Sequence, residues 1–223
     1  MKKVFVWVNF ILTALVLGGA VLYIAKGGLL TKGITSIGFV LIGVLNLLYA
    51  LKNQRDFNFP IVMLAGLFLC MLGDIAINLN FIVGAVIFAA GHVFYFAAYC
   101  LRTGFRGLSA IFGGVILAFS ASILLFVPVF KFDMLTRTVC LIYAIIISFM
   151  LGNALNGYVK EKNPQSLLIA VGSALFYFSD LMLVFDKFAD VPHIMGILCI
   201  ASYYPAQCLL TYSVYFSAKN KIK

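Results

Sequence analysis

With 223 residues, 64% of them hydrophobic and 10% charged, and a mean hydropathy of +1.12, the chain falls far below the roughly one-quarter charged residues of a soluble domain. Sixteen Lys and Arg beside seven Asp and Glu cannot cover a water-facing surface of this size, which excludes a soluble globular fold. The net charge of +9 reads as membrane topology and contact with anionic headgroups, and nothing supports nucleic-acid binding.

A crossing needs about 20 mostly apolar residues. Charges and turn-formers divide the chain into eight such segments, at 4–25, 33–51, 58–79, 81–101, 107–127, 137–158, 166–186 and 192–216. The first opens on Met1-Lys2-Lys3, but its apolar run is too long for a signal-peptide core, so it reads as a span. Loops are short and no linker separates a second domain. The expectation is therefore an all-α polytopic membrane protein, a single eight-transmembrane-helix bundle over 1–223. Eleven of the sixteen basic residues fall on the side of the termini, and Lys26, Lys32, Lys131, Arg137 and Lys187 on the other. That bias predicts cytoplasmic N and C termini. Cys70, Cys100, Cys140, Cys199 and Cys208 all lie in apolar segments without a CxxC pair, so neither a disulfide framework nor a zinc knuckle is expected.

Segments three and seven share a pattern. Gly66–Asp74 reads GLFLCMLGD and Gly172–Asp180 reads GSALFYFSD, a common Gly-x7-Asp at an offset of 106. Segments four and eight align loosely, FAAYCL from Phe96 against YPAQCL from Tyr204. Two parallel four-helix repeats would produce this, as would chance likeness between apolar stretches. Asp74 lies about five residues before the end of its segment and Asp180 about six, which puts both roughly 7–9 Å below one boundary at 1.5 Å rise per residue.

Asp56, Asp133, Glu161, Asp186 and Asp190 fall in loops or at segment ends, whereas Asp74 and Asp180 fall within spans. A carboxylate near the bilayer centre costs about 2.5–3.5 kcal/mol. Every Lys and Arg is expected at a segment end or in a loop, which leaves neither aspartate an intramembrane cation. Two carboxylates at matched depth are then expected to share a proton or hold one between them, the equipment of general acid–base chemistry. The bland reading is a hydrogen-bonded pair joining two helices.

Polar residues at helical spacing accompany them. Asn78 follows Asp74 by four, and Tyr177 and Ser173 precede Asp180 by three and seven, with Ser179 adjacent. Segment four presents His92, Tyr95 and Tyr99, and segment eight Tyr203, Tyr204, Gln207 and Thr211, with Pro205 expected to bend it. For any one of these, packing is the commoner role; four polar faces together predict a wet cavity. Other chemistries lack parts. His92 and His193 are too few for a three-histidine zinc hydrolase, Ser179 has no histidine near it in sequence, and no glycine loop cradles a phosphate. Met71-Leu72-Gly73-Asp74 lacks the first glycine of the Gly-x-Gly-Asp of intramembrane aspartyl proteases.

The runs MLGD (71–74), GHVFY (91–95), GSALFYFSD (172–180) and SYYPAQ (202–207) resemble the signature blocks of the lysoplasmalogenase, or YhhN-like, family of membrane hydrolases, in order and over about residues 35–215. Pro205 departs from that pattern. The resemblance implies an eight-span enzyme without a cofactor or metal that cleaves the vinyl ether bond of lysoplasmalogens, releasing a fatty aldehyde and a glycerophospho-base. It implies catalysis by Asp74 and Asp180, one protonating the vinyl carbon while the other stabilises the cation and activates water, in either assignment. Asn78, His92, Tyr95, Tyr177, Ser179, Tyr203, Tyr204 and Gln207 would orient the substrate. Its partners would be a lysophospholipid and the bilayer; the sequence leaves the oligomeric state open. Its Lys-, Asn-, Ile- and Phe-rich composition leans towards a bacterial inner (plasma) membrane. The rival reading is a proton- or cation-coupled transporter built on the same aspartate pair.

Overall fold

The computed structural model describes residues 2–53 and 57–220, with side chains from 4 to 218 outside the 54–56 gap. Arg55, Asp56, Lys221 and Lys223, which enter the sequence-based charge assignments, lie outside the described residues, as do the side chains of Lys2, Lys3 and Lys219. The described residues form eight helices: α1 (Lys2–Lys26), α2 (Leu29–Asn53), α3 (Asn58–Ala76), α4 (Phe81–Thr103), α5 (Gly107–Phe126), α6 (Met134–Glu161), α7 (Pro164–Phe188) and α8 (Ile194–Asn220). Each is long and apolar enough to cross a bilayer. Leu15, Val21, Leu30, Val115 and Phe126 point outward at 53% exposure or more, as expected when lipid replaces water around the bundle. The chain is an integral, multi-pass, all-helical membrane protein.

Local chemistry sets the helix ends. Gly27, at a φ of 65°, takes the left-handed backbone that closes α1 and lets α2 start two residues later. The Asn80 side chain accepts from the Val83 N–H to cap α4. Asn163 and Ser166 form a capping box ahead of α7, with Pro164 at its first position. Asp133 caps α6, and its bonds to the Thr136 side chain and N–H hold its carboxyl below the usual carboxylate range. The α5–α6 and α7–α8 connections meet in a single antiparallel bridge between Phe130 and Ala189. Helix α8 runs through Pro205; the missing N–H leaves the Ala201 carbonyl without its intrahelical donor.

The helix neighbours repeat with an offset of four. Helices α1 and α2 pack together as α5 and α6 do, α2–α3 as α6–α7, α3–α4 as α7–α8, and α4–α6 as α8–α2. The core lies among α2, α3, α4, α7 and α8, where Phe39, Ile42, Met63, Leu67, Tyr95, Phe176, Tyr204 and Leu210 are fully buried. Helices α5 and α6 meet at glycines: a Cβ on Gly152 would stand 2.4 Å from the Gly113 nitrogen, an approach that only glycine permits.

Candidate functional site

A polar cavity of about 440 Å³ opens at the end of the bundle that carries the α1–α2, α3–α4 and α7–α8 connections. Asp74 and Asp180 both line it, with Tyr23, Lys26, Lys32, Asn78, Ser179, Asp186, Lys187, His193 and Tyr203. Helix α3 ends at Ala76 and α7 at Phe188, so Asp74 sits two residues from its helix end and Asp180 eight. The equal spacing expected from the segments therefore does not hold along the helices, yet one cavity takes both carboxylates.

The two are surrounded differently. Asp74 is 1% exposed. Its Oδ2 accepts from Ser36 Oγ at 2.6 Å and Tyr203 Oη at 2.7 Å, and its Oδ1 lies 3.3 Å from Lys32 Nζ. Lys32 is a correction to the sequence expectation: it is 7% exposed within α2 and compensates the Asp74 charge inside the span. Placing segment two at 33–51 left it in the loop, whereas α2 starts at Leu29 and carries Lys32 and Ser36 on one face, four residues apart. The Asp74 shell continues outward. Gln207 Nε2 donates to Tyr203 Oη at 3.1 Å, and Tyr95 Oη to Gln207 Oε1 at 2.8 Å. Tyr204 Oη is 3.3 Å from Ser36 Oγ and donates to the Lys32 carbonyl at 3.3 Å.

Asp180 has one hydroxyl donor, Tyr143 Oη at 2.6 Å from its Oδ2. Tyr143 also lies 3.2 Å from His92 Nδ1, which is 2.8 Å from the Phe88 carbonyl. A carbonyl only accepts, so Nδ1 carries the hydrogen. His92 Nε2 faces Asp180 Oδ2 at 3.7 Å, outside hydrogen-bond reach, and has no hydrogen-bond partner among the described residues. His92, Tyr143 and Asp180 thus form one polar unit, and Lys32, Ser36, Tyr203 and Asp74 another.

The other expected residues divide between wall and backing. Asn78 lies in the turn after α3, lines the cavity, and donates from Nδ2 to the Asp74 carbonyl at 2.7 Å while its Oδ1 accepts from Tyr23 at 3.4 Å. Ser179 also lines it, 3.4 Å from Cys199 Sγ. His92, Tyr95, Tyr204 and Gln207 are fully buried behind the wall and act on the cavity through Tyr143, Tyr203 and Ser36. Tyr177 points elsewhere: its hydroxyl meets Ser120 Oγ on α5 at 2.7 Å. Sequence reasoning missed Lys32, Ser36 and Tyr143: a segment starting at 33 cuts Lys32 off from Ser36, its neighbour four residues on, and Tyr143 reaches Asp180 on another helix.

No curated protein and no solved structure matches the chain significantly. The profile of the YhhN family matches residues 29–214, a stretch from the start of α2 into α8 that holds both aspartates and, among the described residues, their hydrogen-bond donors Ser36, Tyr143 and Tyr203. The chain belongs to the YhhN family.

Proposed function

We propose that this protein is a hydrolase of the vinyl ether bond of lysoplasmalogens, releasing a fatty aldehyde and glycerophosphocholine or glycerophosphoethanolamine. The observation that carries the reading is the asymmetry of two carboxylates on one cavity. Asp74 has a cation and two hydroxyl donors against its oxygens, so its negative charge is compensated. Asp180 has a hydroxyl and a histidine nitrogen out of hydrogen-bond range. Environments that differ in this way divide acid and base roles between two carboxyl groups.

In this mechanism Asp180 is the acid. Its proton passes to the vinyl carbon distal to the ether oxygen, and the electron pair of the double bond forms the new C–H bond. The adjacent carbon becomes an oxocarbenium ion, stabilised by the Asp74 carboxylate. Water adds to that carbon as Asp74 takes its proton, giving a hemiacetal. The hemiacetal collapses when its hydroxyl proton returns to Asp180 and the Asp74 proton passes to the departing glycerol oxygen. The products are an aldehyde and an alcohol, with both carboxyl groups restored. Lys26 and Lys187 at the cavity supply positive charge for the headgroup phosphate, and His193 lines the same cavity. We place the protein in a bacterial inner membrane on its Lys-, Asn-, Ile- and Phe-rich composition, with cytoplasmic termini on its basic-residue asymmetry.

The test offers purified protein vinyl-ether and acyl-ester lysophospholipids side by side. Aldehyde from the vinyl ether supports the reading. Fatty acid from the ester alone would replace it with an esterase, and ion-gradient-driven uptake without any product would replace it with the transporter.

A further inference from the structure

The four-helix repeat of packing breaks at α4, on the side where α5 and α7 would meet it. Helices α1 and α3 pack against α8, so the matching contacts would set α5 and α7 against α4; among the described residues neither helix backbone comes close to α4, and α5 lies along α6. The gap holds a crevice of about 60 Å³, walled by Phe81 and Ala85 of α4, Leu124 of α5, Ala144 and Ile147 of α6, and Val184 of α7. Its polar groups are few. Ser120 and Tyr177 are hydrogen-bonded to each other at 2.7 Å across α5 and α7, and Tyr143 donates to Asp180, which stands where the crevice meets the polar cavity. Asp180, Ile77, Phe88 and Leu183 line both spaces. The lysines and the histidine line the cavity, and the crevice has neither. Asp180 therefore stands on a boundary between a charged, polar space and a hydrocarbon one.

We infer that this crevice seats the hydrocarbon chain of a single-chain glycerophospholipid whose headgroup occupies the polar cavity. That arrangement brings the linkage between chain and glycerol against Asp180. The occupant follows from the boundary: only an amphiphile satisfies both spaces at once. A second chain would have to enter the polar cavity among Asp74, Lys32 and Asp186. The separation of α5 from α4 gives the chain lateral access from the bilayer. Ala85 of α4 and Ala144 of α6 are small, buried residues of the crevice wall, where a large side chain would take up its space. The chemistry at Asp180 rests on the hydrolase reading above; the seating of the chain does not.

The experiment uses purified protein and a lysophosphatidylcholine carrying a diazirine near the end of its chain, photolysed and mapped by mass spectrometry. The expected label falls on residues of the crevice, such as Leu124, Cys140 and Val184, and drops several-fold in Ala144→Phe and in Ala85→Phe. Either variant is scored only if its elution and melting temperature match the parent protein, and the parent's label map is decisive without them. Label confined to outward-facing residues, or crevice label that well-folded variants keep at parental level, would overturn the inference. Crevice labelling without aldehyde release would refute the hydrolase reading alone, and aldehyde release without crevice labelling would refute the chain seat alone.

Discussion

Replacing Lys32 with Met would remove the cation from a buried ion pair and leave the rest of the Asp74 shell in place. Lys32 Nζ is 3.3 Å from Asp74 Oδ1 with side-chain exposures of 9% and 1%. At an effective dielectric of about 20 that separation corresponds to roughly 5 kcal/mol of attraction. Ser36 and Tyr203 still donate to the carboxylate in the variant, and the empty ammonium site admits water from the cavity, so the net loss falls in the range of about 3–5 kcal/mol found when one member of a buried pair is deleted. Asp74→Asn strands the lysine instead and should cost a similar amount. The double variant removes both charges, and its stability should recover by at least half of the summed single losses. Equilibrium unfolding in detergent micelles or bicelles, run on all four proteins, measures the coupling. Additive losses, or a Lys32→Met protein as stable as the parent, would refute the claim that Lys32 compensates Asp74 within the bundle.

Asp180→Asn should lower hydrolysis by about 10²–10⁴-fold, the usual worth of a positioned acid, with little change in melting temperature because the Asn oxygen still accepts from Tyr143; a collapse of stability with activity per folded molecule retained would contradict it. Tyr143→Phe deletes the hydroxyl that joins His92 to Asp180. The bond it donates strengthens as Asp180 gives up its proton and becomes charged, so its loss, about 1.5–3 kcal/mol for a hydrogen bond to a charged group, should appear as a kcat lowered by roughly 10–100-fold with KM nearly unchanged, as measured in steady-state kinetics. Gly152→Ala places a methyl 2.4 Å from the Gly113 nitrogen, where backbone must move, so thermal unfolding should register a loss of about 1–3 kcal/mol.

Much of the architecture was legible in hydropathy alone, because a bilayer demands long apolar runs and the loops are short. Both aspartates stood out for the same reason, being costly charges within those runs. The partners of the two aspartates were less legible. Lys32 sat at a segment boundary, and one turn of extra helix at the start of α2 turns a loop cation into a buried one. Ser36 and Tyr143 each reach an aspartate on another helix, and contacts between helices leave no mark in the spacing along one. Tyr177 does share the Asp180 face by spacing, but that face spans two spaces, and its hydroxyl turns to Ser120 in the apolar one. The family resemblance makes Tyr95 and Gln207 substrate contacts; the structure sets them behind Tyr203, where they position the hydroxyl that reaches Asp74.

The central claim, protonation of the vinyl carbon by Asp180, is tested most directly by hydrolysis in D2O with the aldehyde reduced in place as it forms. The account predicts one deuterium on the carbon next to the former aldehyde carbon in the product of the parent protein, and almost no product from Asp180→Asn. Product without that deuterium, or undiminished turnover by Asp180→Asn, would contradict it.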